Sequence, residues 1–86
     1  MIKLRITRVS GEVTDHVITP VIEYAFESYA KTGFMKAFRE SEKQTDVYWL
    51  AWECLRRSGV SVKPFGLEFL ETLEKVEILD ADSPNG

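Results

Sequence analysis

The chain has 86 residues, 44% of them hydrophobic and 29% charged, with a formal net charge of -3. That composition fits one small soluble-type domain with a single hydrophobic cluster. It excludes any apolar run near the ~20 residues that cross a bilayer, and the acidic balance argues against a nucleic-acid partner, whose phosphates need basic groups.

At the start, Ile2, Leu4 and Ile6 alternate with Lys3, Arg5 and Thr7. This period of two is that of a strand with one face inward. Ser10-Gly11 supplies a turn, and residues 12–18, with Val13, Thr14, Val17 and Ile18, resume β-type composition. A β-hairpin over 1–18 is the expected result.

Thr19-Pro20 reads as a helix N-cap followed by the first helical position, where proline's fixed φ costs nothing. The helix places Ile22, Phe26 and Tyr29 on one stripe, flanked by Val21 and Ala25, and should stop near Thr32-Gly33. A shorter helical piece from Phe34 to about Arg39 sets Phe34 and Phe38 four residues apart, with Met35 beside them. Residues 40–44 are polar and read as a connection.

The most conspicuous stretch is Asp46 to Arg57. It holds both tryptophans and the single cysteine, and between Val47 and Leu55 only Glu53 is charged. A helix so apolar around its circumference is expected to be central and buried. Thr45 or Asp46 can cap its start, Arg56 and Arg57 suit the negative end of its dipole, and Ser58-Gly59 offers a left-handed stop. Residues 60–63 read as an extended linker, after which Pro64 opens a further helix. Its face is expected to carry Phe65, Phe69, Leu73 and Val76, with Leu70 alongside. Residues 80–86 read as a flexible acidic tail. The expectation is therefore an α+β fold, an N-terminal β-hairpin followed by a small bundle of three to four helices, in one domain over 1–79.

Chemistry is sparse. Cys54 sits in the apolar helix, where a thiol behaves as a small hydrophobe, and one cysteine permits no internal disulfide. His16 is the single histidine, beside Asp15 in a strand, with no nucleophile that the sequence sets against it. Glu68, Glu71 and Glu74 read as a solvated face, because no histidine, cysteine or calcium-loop pattern accompanies them. Glycine-rich phosphate loops are absent. A non-catalytic binding protein without cofactor or metal is the expectation, and the lack of a basic-then-apolar leader gives no sign of export.

The order of features resembles the small tail assembly chaperones of long-tailed bacteriophages. The likeness is carried by the hairpin, the Thr-Pro-started helix with Phe26-Glu27, the block from Tyr48 to Gly59, and Phe65 with Phe69-Leu70 before an acidic end. The linker at 60–63 and the helix around Lys36 are not part of it. The resemblance implies a protein of the host cell cytoplasm that binds the tape measure protein, keeps it soluble during tail assembly, and is absent from the mature virion. It also implies self-association and, in many members, a longer frameshifted form, of which this chain would be the short one. For partner contact it leaves Phe34, Met35, Phe38, Phe65 and Phe69 as candidates, with Trp49 and Trp52 kept for the core. The alternative is a small structural or regulatory phage protein, such as a head-tail joining component or a host-directed inhibitor.

Overall fold

A computed structural model describes residues 2–37 and 43–80. The elements run β1 (Ile2–Arg8), β2 (Val13–Val17), α1 (Pro20–Ala30), α2 (Phe34–Lys36), α3 (Gln44–Arg57), α4 (Leu67–Leu70) and β3 (Leu73–Asp80). Among the described residues the fold is α+β: an antiparallel hairpin, a third strand and four helices.

The sheet has the order β2-β1-β3, so β1 lies between two antiparallel neighbours. Its alternating pattern is realised directly. Leu4 stands opposite His16 on one side and Ile78 on the other, and Ile6 opposite Thr14 and Val76, so these six share the inner face. Leu4 and Ile6 are fully buried there. The outer face carries Lys3, Arg5 and Thr7, with Arg5 donating two hydrogen bonds to Asp15 at 2.9 and 3.1 Å. At the hairpin tip, Gly11 takes φ 96°, a left-handed conformation that glycine enters without steric cost.

The C-terminal part departs from the expected helix. Only Leu67–Leu70 is helical, and Leu73–Asp80 forms β3 against β1, with Asp80 closing the strand instead of opening a tail. Phe65, Phe69, Leu73 and Val76 do fit a helical face, but Lys75-Val76-Glu77-Ile78 also alternates. A short run of this kind is ambiguous by period alone, and β1 offers hydrogen-bond partners to those of its backbone groups that face the free edge of β1. Residues 81–86, and the end of the expected second helix with Phe38, lie outside the described residues.

Helix ends follow the predicted chemistry in part. Thr19 Oγ1 accepts from the Ile22 amide at 3.4 Å, with Pro20 opening α1. The stop comes at Lys31, which adopts φ 62° and donates to Glu27 O. The Glu27 side chain also caps α2, since its Oε2 accepts the Phe34 amide at 2.8 Å. α3 begins at Gln44, ahead of both expected caps, so that Asp46 becomes an acid inside the positive first turn. Its end is a complete Schellman motif, with Gly59 at φ 94°, Gly59 N donating to Arg56 O and Val60 N to Leu55 O.

The inner face of the sheet and helices α1 and α3 enclose one cluster that includes Leu4, Ile6, Ile22, Phe26, Leu50, Cys54, Leu55 and Phe69. Phe69 is 0% exposed, at the short turn that feeds β3 back beside β1. Phe69→Ala is therefore expected to lower stability by about 3 to 5 kcal/mol. Leu67→Ala, on the exposed side of the same turn, should change it by under about 0.5 kcal/mol; urea denaturation of both variants checks the contrast.

Candidate functional site

Aromatic rings form a connected path from the core to the surface. It begins at Phe26, whose ring meets Phe34 edge-on at 5.7 Å and Trp49 at 6.1 Å. Helical spacing extends it, because Phe26 and Tyr29 are three apart on α1, as are Trp49 and Trp52 on α3. Tyr29 stacks on Trp49 at 4.6 Å with an interplanar angle of 11°. Trp49 continues to Trp52 at 5.9 Å, and Phe65 closes the ring over Trp52 at 6.1 Å and Tyr29 at 6.3 Å.

Exposure rises along this path. Phe26, Phe34 and Trp49 are buried, whereas Trp52 and Phe65 are half-buried and Tyr29 is 40% exposed. The rim is also held rigidly. Trp52 Nε1 donates to Lys63 O at 2.9 Å, which pins the extended linker against α3, and the Arg56 guanidinium lies 5.3 Å from the Trp52 ring centroid. Beside Tyr29 opens a cleft of about 310 Å³ lined by Tyr29, Ala30, Thr32, Ala37, Lys43 and Asp46. A rigid aromatic rim next to a cleft can receive apolar side chains at low entropic cost.

The residues expected to contact a partner divide unevenly over this surface. Phe65 lies on the rim and Met35 is 50% exposed, but Phe34 and Phe69 are core residues and offer no docking surface. The reason is local. Phe34 sits where Glu27 caps α2 against Phe26, and Phe69 where α4 turns under the sheet. Tyr29 and Trp52, both expected inside, take their place at the rim. Their signal in the sequence was the polar atom that each ring carries, which favours a position with one wet edge.

A second cleft, of about 380 Å³, is lined by Asp15, His16, Val17, Thr19, Ile22, Cys54, Arg57 and Ser58. Its groups are satisfied or inert. Burial and the nearby Glu53 push the Cys54 thiol up to about 12, so it is protonated at physiological pH. His16 Nε2 pairs with Thr14 Oγ1 at 2.8 Å, and Asp15 is engaged by Arg5 on the other face of the sheet. Among the described residues no group of three or more His, Cys, Asp or Glu could hold a metal ion.

Glu53 is the least expected feature. The one charged residue in the apolar stretch is 1% exposed, and both its oxygens accept from Arg56 while Oε2 also accepts from Arg57. Two guanidiniums three and four residues on reach back over the helix, covering the carboxylate while their own ends stay wet. Comparison with known protein families, curated proteins and solved structures finds no match to this chain.

Removing both partners of Glu53, in Arg56→Ala/Arg57→Ala, leaves a buried unpaired charge and is expected to cost about 3 kcal/mol, the low end for a broken buried pair because the guanidiniums are half-exposed. Replacing the triad by Glu53→Met with both arginines also changed to Ala should recover most of that loss in the same denaturation assay. For His16, burial holds the imidazole below its usual value, with Asp15 opposing. The unfolded chain then takes up its proton first as pH falls, so stability is fully present above the unfolded value of 6.5 and declines from there to the lower folded value. His16→Gln should flatten that part of the stability profile.

Proposed function

We propose that this chain is a non-catalytic tail assembly chaperone of the long-tailed phage type, binding the tape measure protein and keeping it soluble until the tube forms around it. The observation that carries the reading is the rigid, half-exposed aromatic rim of Tyr29, Trp52 and Phe65 beside an open cleft. Its sequence-level support is the resemblance in the Tyr48–Gly59 block and the acidic composition.

Physically, a long helical protein awaiting assembly exposes apolar stripes that aggregate. An amphipathic helix can lay such a stripe on the aromatic rim, with anchors spaced three and four residues apart. The excess of acids over bases then keeps the complex soluble. On this reading the protein acts in the host cytoplasm and leaves before the virion is complete, and a longer frameshifted form would present the same rim. No helix among the described residues is long and apolar enough to cross a membrane.

The test is co-expression with a tape measure protein, the long helical partner that this reading names. The soluble fraction of that partner should rise several-fold with the wild-type chain and return to its unassisted level with Tyr29→Ser/Phe65→Ser. Val9→Ser, an exposed apolar residue at the far hairpin tip, should retain the effect. A partner that stays as insoluble with the wild-type chain as without it overturns the chaperone reading in favour of a structural or regulatory role.

A further inference from the structure

We propose that the outer edge of β3 is a self-docking surface, through which two copies join into one continuous six-stranded antiparallel sheet. The backbone sets the parity. Ile18 N donates to Ile2 O and Arg8 N to Glu12 O, both at 2.9 Å, so the even-numbered residues of β1 turn their peptide groups towards β2. The odd residues Lys3, Arg5 and Thr7 therefore face β3, where they meet Leu79, Glu77 and Lys75. Val76 and Ile78 are left with N–H and C=O groups aimed outward, and among the described residues no strand pairs with that edge.

Two further observations select a second copy as the occupant. Ile78 belongs to the inner, apolar face opposite buried Leu4, yet it is 48% exposed. The helical layer thus stops short of this edge, which leaves room for a neighbouring sheet on the same side. The second is charge. When two β3 strands meet antiparallel about a two-fold axis at Val76, Lys75 of each copy stands opposite Glu77 of the other, twice over. On the outer face the row Asp15, Arg5, Glu77 then continues into Lys75 of the second copy, alternating in sign across the junction. Val76 meets Val76 on the inner face, while Glu74 lies at the irregularity where β1 and β3 shift register between Thr7 and Arg8. The adjacent symmetric registers set Lys75 on Lys75 or Glu77 on Glu77, and like charges directly opposite are destabilising.

The other edge lacks this complementarity. Outward peptide groups of β2 belong to Val13, Asp15 and Val17, whose side chains lie on the outer face. Antiparallel pairing of β2 of one copy with β3 of another would put the helical layers on opposite faces, and a β2–β3 contact in either direction generates an open chain, whereas β3 with β3 closes as a dimer. A short edge gives a small interface, so the dimer is weak and concentration-dependent. The chaperone resemblance implies self-association but names no surface for it; this edge is separate from the aromatic rim, to which neither Lys75 nor Glu77 belongs, so a failed dimer test leaves the rim's role standing.

Sedimentation equilibrium up to about 1 mM protein tests it, a range that reaches weak dimers. The wild-type chain should dimerise. Lys75→Glu alone and Glu77→Lys alone should each weaken the dimer by about tenfold or more, because two attractive pairs become repulsive. An equimolar mixture of the two variants restores both pairs and should form a heterodimer of wild-type strength. Circular dichroism monitors the fold of each variant. Hydrogen exchange on the wild-type chain gives a second readout, with Val76 and Ile78 amides gaining protection as concentration rises. A chain that stays monomeric throughout, a Lys75→Glu variant that dimerises as tightly as wild type, or a mixture that fails to recover overturns the proposal.

Discussion

The pairing of β1 with strands on both sides holds this small protein together. A two-stranded hairpin is marginal by itself in water. With β3 along its other edge, β1 becomes a central strand, and Leu4 and Ile6 sit fully buried on a three-stranded floor on which α1 and α3 rest. The first and last described elements are thereby joined, so the domain closes through a contact of the greatest sequence separation available to it. Such a contact costs loop entropy to form, which the apolar inner face of Val76 and Leu4 must offset.

On that floor the aromatic residues divide between structure and surface. Phe26, Phe34 and Trp49 fill the space between α1, α2 and α3, and the same helical spacing that buries them carries Tyr29 and Trp52 outward to meet Phe65. Core and rim are thus one stack of rings. The rim gains its rigidity from the core, and the hydrogen bond from Trp52 to Lys63 O fixes the linker that delivers Phe65. Polar groups near the rim, Lys43 and Asp46 at the cleft and Arg56 over Trp52, border the apolar area with charge.

Glu53 shows how a local pattern can mislead. A charge within an apolar helix normally marks the wet side, yet here it is enclosed. Arg56 and Arg57, chosen by the helix dipole argument as C-terminal cations, serve as its counter-ions. The two roles are compatible because residues three and four apart share one face. Only the packing of α3 against the rest of the chain decides that this face is covered.

Much was legible in the sequence. The hairpin followed from alternation in Ile2 to Thr7 and from Ser10-Gly11, and α1 from Thr19-Pro20. The burial of α3 and of Cys54 followed from an almost unbroken apolar run. These are local signals, in which the residues carry their own periodicity and punctuation. Two matters lay beyond such signals. The stretch from Leu73 to Asp80 satisfies both a helical and a strand pattern, and the unfilled edge of β1 chose between them by offering it hydrogen-bond partners. Phe34 and Phe69 against Tyr29 and Trp52 was a choice of the same kind: all four rings are apolar enough for the core, and which ones remain at its border depends on how α1, α3 and the 60–66 segment pack in three dimensions.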